Sequence, residues 1–192
     1  MRTVSAVVFF ALLPAAAAAQ PRAFAVWERP AAGIFIGPSA NGGDNSEDTA
    51  AEIGFVFDTP VVFGYRVRAD VSRVSWRFDV YERGVPVPAS ETVTVKSIRL
   101  SVLGVRHAGA RTAGYAGGGY GAYRYEYDHL PLRNPWRGGF HGLAGFEILS
   151  QNQRHAFNGE VRLHAINGPR QPPVSASALL KLDAALGMKV RF

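Results

Sequence analysis

The last eight residues, ALGMKVRF (185–192), alternate in a way that decides the fold. Reading backward from Phe192, the alternate positions are Val190, Met188, Leu186, Ala184, Leu182 and Leu180. Between them stand Arg191, Lys189, Gly187, Ala185, Asp183 and Lys181. A two-residue period with charges on one side only predicts a β-strand. A chain end is normally a place where order is lost. Something must therefore hold this strand to its last residue.

The same period returns upstream. TAAEIGFVF (49–57) sets Ala51, Ile53, Phe55 and Phe57 against Glu52 and Gly54. VVFGYRVRADVS (61–72) sets Phe63, Tyr65, Val67, Ala69 and Val71 against Arg66, Arg68 and Asp70. KSIRLSVLGVRH (96–107) opposes Ile98, Leu100 and Val102 to Ser97, Arg99 and Ser101. In 113–128, Tyr115, Tyr123, Tyr125 and Tyr127 are read as the apolar face, against Arg124, Glu126 and Asp128. GFHGLAGFEIL (139–149) opposes Phe140, Ala144, Phe146 and Ile148 to His141 and Glu147. HAFNGEVRLHAI (155–166) opposes Phe157, Val161, Leu163 and Ala165 to Asn158, Glu160, Arg162 and His164. AAGIFIGPS (31–39) is a weaker first strand, which makes the count even. The connections alternate: NGGDNSED long, DTP short, ERGVPVPAS long, AGAR short, HLPLRNPWRG long, SQNQ short, NGPRQPPVS long. Alternating short and long loops between sequential strands predict an all-β, antiparallel up-and-down barrel of eight strands.

The full chain has 192 residues, no cysteine, 21 Lys+Arg against 15 Asp+Glu and a formal charge of +6. That length suits one domain, and the fold cannot rely on disulfides. The basic residues are spread along the chain rather than clustered, so no nucleic-acid partner is expected. MRTVSAVVFFALLPAAAAAQ opens with one charge, an apolar run from Val4 to Leu13 and small residues up to Ala17-Ala18-Ala19. It predicts a signal peptide over 1–19, cleaved before Gln20, with the barrel domain over 20–192. No later apolar run is long enough for a membrane helix.

Periodicity alone leaves open which face lines the barrel. A soluble carrier of an apolar ligand puts the apolar side inside; a membrane barrel puts it outside. Four features favour the membrane. The amphipathic stretches are about ten residues long, enough for a tilted strand to cross a bilayer. Tyr123, Tyr125, Tyr127 and Phe192 stand near strand ends, where aromatic girdles belong. Short turns and long loops match periplasmic turns and external loops. Finally, Arg66, Arg68, Arg99, Arg124, Arg162 and Lys181 nearly balance Glu52, Asp70, Glu126, Asp128, Glu147, Glu160 and Asp183 on the charged faces, as paired groups in a narrow lumen should.

The terminal strand closing on Phe192 resembles the β-signal of bacterial outer-membrane barrels. The segment GGFHGLAGFEILSQNQRHAFNGEVRL (138–163) resembles the hairpin before the last strand in the small outer-membrane β-barrel family, which includes the transmembrane domain of outer-membrane protein A. The resemblance implies location in the outer membrane and recognition of the last strand, through Phe192, by the barrel-insertion machinery. It also implies contact with outer-membrane lipid and lipopolysaccharide. Closure would pair the last strand with the first and leave no edge.

One stretch breaks the pattern. After Val71 the apolar parity switches to Val74, Trp76, Phe78 and Val80, and on the return it switches from Val93 and Val95 to Ile98 and Leu100. Both switches are nearly equidistant from Gly84-Val85. Paired bulges would do this; so would a hairpin, 72–96, that rises above the bilayer and turns its apolar face inward over the barrel mouth. A partner-binding patch is the alternative.

No catalytic, cofactor or metal residue is assigned. HAFN (155–158) resembles the His-x-Ser-Asn stretch of outer-membrane lipid A deacylases, but Phe157 fills the nucleophile's place and has no nucleophilic atom. A lipid-acting centre would instead need His164 to activate Ser97 or Ser101, with Glu160 orienting it; against it stands a plain ion-pair network of Glu160, Arg162 and His164. Asp44, Glu47 and Asp48 lack calcium-loop spacing. GYAGGGYG (114–121) precedes no helix, so its glycines suit close strand packing rather than phosphate. Trp136 between Arg133 and Arg137 suits a headgroup layer or lipopolysaccharide. The expected role is structural, adhesive or interactive, as a monomer with a plugged lumen, not a general porin or an enzyme. A lipid-modifying enzyme and a soluble exported barrel with an apolar ligand are the alternatives.

Overall fold

A computed structural model describes residues 27–41, 49–82, 85–128, 136–167, 170–171, 174–175 and 178–192. The proposed signal peptide, the acidic loop residues Asp44, Glu47 and Asp48, and Arg133 lie outside them, as do the side chains of Phe78 and Val80. Eight strands form a closed antiparallel barrel. They are β1 (Ala31–Asn41), β2 (Thr49–Asp58), β3 (Tyr65–Glu82), β4 (Val85–His107), β5 (Thr112–Tyr127), β6 (Trp136–Leu149), β7 (His155–Asn167) and β8 (Ala178–Arg191). Each pairs with its neighbours in chain order, and β8 closes on β1. A two-residue ladder, Arg170–Gln171 with Val174–Ser175, decorates the last connection.

The seam explains how the chain end stays ordered. β8 pairs with β7 from Ala178↔Asn167 to Val190↔His155, and with β1 from Ala31↔Arg191 to Asn41↔Lys181. The Phe192 N–H donates to the Pro30 carbonyl at 3.2 Å, and the Arg191 N–H to the Arg154 carbonyl at 2.7 Å. Both sides of the last strand are hydrogen-bonded. No edge is left to fray.

The apolar faces point outward. Leu186 is 69 % exposed and Phe140 70 %, while Arg68, Arg162, Asp183 and Lys189 are buried inside. This is the polarity of a barrel that faces hydrocarbon, and it rules out an apolar ligand cavity lined by those faces. Side chains fill the interior. Gly54 and Gly121, both facing inward, show how tightly: a side chain on Gly54 would strike the Phe35 ring, and one on Gly121 would meet Arg99 Cγ.

Three boundaries and one face differ most from the sequence expectation. β3 begins at Tyr65 rather than Val61, because Val62 and Tyr65 close a two-residue turn with Phe63 and Gly64 both at positive φ. Glu82 and Val85–Ser90, expected within a long loop, are strand, so β3 and β4 run 18 and 23 residues. Trp136–Gly138 also belongs to a strand, β6. The fourth difference is β5. Tyr115, Tyr123 and Tyr125 are buried in the interior, and Arg124 and Asp128 are exposed on the outside. The reading of Tyr123 and Tyr125 as girdle residues, and of Arg124, Glu126 and Asp128 as lumen charges, is therefore reversed. Register dictates this, since paired residues share a face: Ser97 sits opposite Tyr123, and Arg99 opposite Gly121. With Arg99 inside, Tyr123 must be inside. Phe192 does stay outside, as expected.

Candidate functional site: the filled interior and its two ends

The interior is layered. At the waist, seven cations (Arg66, Arg68, Arg99, Arg162, Lys181, Lys189, Arg191) meet six carboxylates (Glu52, Asp58, Asp70, Glu147, Glu160, Asp183), all buried. Near the short-turn end, Asp58 accepts from Arg66 at 3.0 Å, Arg68 at 2.7 Å and Lys189 at 2.8 Å. Glu147 beside it pairs with Arg66 at 2.8 Å and with Arg191. Nearer the long loops, Arg99 binds Asp70 at 2.5 Å and Glu52 at 2.9 Å, and Lys181 bridges Glu52 and Asp183 at 2.5 and 2.6 Å. Glu160 joins the two groups. It accepts from Arg68 at 2.6 Å, from the Tyr115 hydroxyl at 2.7 Å and from Arg162. Arg162 reaches on to Asp70 at 3.4 Å and stacks its guanidinium over Phe35 at 4.2 Å. Mutual pairing is what makes so many charges tolerable away from water.

Apolar layers lie on either side of this waist. Toward the short turns, Trp27, Leu103, Val105, Tyr115, Leu143 and Leu149 pack together, with Arg191 over the Trp27 ring at 4.6 Å. Toward the long loops, Val74, Trp76, Val93, Val95, Tyr123, Tyr125 and Ile166 form a cap. The Trp76 indole N–H donates to the Ser39 carbonyl on β1 at 3.1 Å. The β3–β4 register runs unbroken through the parity switch, from Val71↔Ile98 to Val74↔Val95. No bulge causes the switch; among the described residues of this hairpin the one register shift lies higher, between Asp79 and Tyr81. Within hairpin 72–96 the described apolar residues Val74, Trp76, Val93 and Val95 face the interior at this end.

The residues weighed for catalysis are separated. His164 is held by the Tyr123 hydroxyl at 2.9 Å and by Asp183 at 2.7 Å, and it touches neither serine. Ser97 bonds Ser72 at 2.7 Å. Glu160 belongs to the arginines and Tyr115. The expected arrangement of His164, Glu160 and a serine does not form. Instead Ser101 Oγ lies 2.7 Å from His141 Nε2, a pair the sequence reading missed. Register explains it: Ser101 sits opposite Gly119, and Gly119 opposite His141. A glycine between them lets two side chains meet across β5. A nucleophile–base contact exists there, but Ser101 is 1 % and His141 5 % exposed, so the pair is buried within the barrel. Phe157 points outward from the wall and His155 hydrogen-bonds within its turn, so HAFN assembles nothing. The 114–121 glycines lie inside β5, where side chains on Gly117 and Gly119 would strike the backbone of β4. Among the described residues no cluster suits a metal ion. Trp27, Asp58, Lys189 and Arg191 are further interior residues. Asp58 falls in the short DTP connection and Trp27 before the first predicted strand; Lys189 and Arg191 lie on the charged face of the last strand, where alternation names no partner.

No known sequence family and no curated relative matches the chain. Solved structures do. Neisserial surface protein A superposes with a TM-score of 0.64 at 14 % identity, over 85 % of this chain and 97 % of that one. The outer membrane protein OprG from Pseudomonas aeruginosa gives 0.57 at 15 % identity, over 85 % and 94 %. Ail, the attachment invasion locus protein of Yersinia pestis, in complex with the heparin analogue sucrose octasulfate, gives 0.52 at 10 % identity, over 85 % and 99 %. The fold is that of the small outer-membrane β-barrels.

Proposed function

We propose that this chain is an outer-membrane protein that acts through its external surface, in adhesion, interaction or envelope structure, and does not conduct solutes as a general porin. The observation that carries this reading is the filled interior: an ion-paired waist closed by an apolar layer on either side. An eight-stranded barrel has room for its own side chains and little else. The signal peptide over 1–19 delivers it across the inner membrane. The strand ending at Phe192 is read by the insertion machinery, the short turns then face the periplasm, and the protein works as a monomer. That a neighbour of the same fold is an attachment protein supports a role at the cell surface.

Two measurements test the reading. The protein extracted from an outer-membrane fraction should run differently on a gel unheated and boiled, because a closed barrel resists SDS until heated. In a planar bilayer it should show no steady open-channel current. Recovery in the soluble fraction would overturn the membrane location; a steady current would overturn the plugged lumen.

One observation favours a second reading, a lipid-modifying enzyme: the Ser101–His141 contact. Its burial weighs against it. If Ser101→Ala cells change the acylation of their lipid A, the enzyme reading replaces the first.

A further inference from the structure

The outer wall carries a row of cations that the interior does not use. Arg73 on β3 lies opposite Lys96 on β4, Lys96 opposite Arg124 on β5, and Arg124 opposite Trp136 on β6. Four consecutive strands thus place these side chains on one hydrogen-bonding row, about 5 Å apart from strand to strand. All four are exposed. One step above, Glu126 accepts from Lys96 at 3.0 Å and pairs with Arg124 at 3.1 Å. A carboxylate seated between two of the three cations shows that their spacing suits an oxyanion. The hydrogen bond from Lys96, and then the charges of Lys96, Arg124 and Arg73, hold that carboxyl below its ordinary range. One carboxylate against three cations leaves the row positive.

Position narrows the ligand. Two residues down each strand the outer face is apolar or bare, with exposed Val71 and Ile98, then Ala122 and Gly138. The row is the first polar step above the hydrocarbon-facing band. On the opposite wall the exposed residues at this end include Ala40, Thr49, Ala165 and Leu180, and none of the described side chains exposed there is a cation. A soluble polyanion would gain nothing from lying against the apolar band. An amphiphile would, with its acyl chains on Val71 and Ile98 and its anionic group on the cations, whose long apolar stems suit such a boundary.

We infer that Arg73, Lys96 and Arg124, flanked by Trp136, form a one-sided binding site for the phosphate of an outer-leaflet glycolipid. The inference rests on the reading that the long-loop end faces outward in an outer membrane, and it deepens that reading by naming the lipid group and the wall that holds it. At about 1 kcal/mol, or fivefold, per cation, loss of all three charges weakens binding on the order of a hundredfold.

The test is native mass spectrometry of the full barrel in detergent, titrated with bis-phosphorylated lipid A and with the same lipid after phosphate removal. Wild type should retain the phosphorylated lipid preferentially, and the triple variant Arg73→Gln/Lys96→Gln/Arg124→Gln should lose that preference. Glu126→Gln removes the competing carboxylate and should raise retention severalfold, which a merely structural role would not do. Should the triple variant lose its heat-dependent gel shift, it is misfolded and Glu126→Gln decides alone. Equal retention of the dephosphorylated lipid overturns the site. So does capture of a soluble sulfated oligosaccharide without the lipid, which would make this wall a glycan surface. Binding in micelles does not depend on cellular location, so a failed fractionation and a failed titration point to different errors.

Discussion

The waist and the cap occupy one interior and follow opposite rules. At the waist the charged residues face inward, while Phe55, Val67, Leu163 and Leu182 face outward. At the cap Val74, Trp76, Val93 and Val95 face inward, while Arg73 and Lys96 face outward. Strand pairing continues across the change without a bulge. What changes is the medium outside. Against hydrocarbon, apolar residues belong on the wall and polar ones must satisfy one another within; against water, the arrangement of an ordinary soluble sheet returns. On the membrane reading proposed above, the parity switch between Val71 and Val74 is where the bilayer edge would fall.

The sharpest way to break the comparison is to leave the waist one carboxylate short. Glu160→Gln leaves Arg68 with Asp58 alone and Arg162 with its longer contact to Asp70, and it should cost about 3–5 kcal/mol in urea unfolding from lipid vesicles, with a lower temperature for the gel shift. In the cap, Trp76→Ala removes packing and one hydrogen bond; a loss of about 3 kcal/mol is expected by the same assay. Glu160 and Trp76 share no partner, so the double variant should add the two losses to within about 0.5 kcal/mol. A larger deviation would mean that the layers act as one unit. Tyr123→Phe removes the hydroxyl on His164 and should cost about 1–2 kcal/mol if β5 faces inward as described; no loss would return that tyrosine to the lipid girdle. Smallest of all, Glu126→Gln breaks only exposed pairs with Lys96 and Arg124, and its effect on unfolding should stay below about 0.5 kcal/mol.

Charge made most of the fold legible. A charged residue on a membrane strand has one place to go, so Glu52, Arg66, Arg99, Arg162 and Asp183 each settled the face of a strand. β5 has no such marker inside. Its inward residues are tyrosines, glycines and Ala113, and a tyrosine reads as apolar until its hydroxyl is given a partner. Its only charges, Arg124 and Glu126, stand above the band, where parity carries the other meaning. Register with β4 was the missing signal, because Ser97 opposite Tyr123 fixes the face. The Ser101–His141 pair was hidden for a related reason. Two strands that are not neighbours meet only through the empty place at Gly119, and that is a property of three strands together.

The seam between β1 and β8 also constrains how the molecule comes to exist. Ala31 must find Arg191 across nearly the whole length of the chain, so the closing contacts have the longest sequence separation in the fold and are entropically the hardest to make. Until they form, two strand edges stand open in a medium that offers them no hydrogen bonds. Over the same interval Glu52 and Asp58 lack Lys181 and Lys189, which arrive only with β8. Assembly is thus all-or-none from the side of both backbone and charge: a seven-stranded intermediate would be short of partners on its rim and in its centre at once, and the final strand completes both in one step.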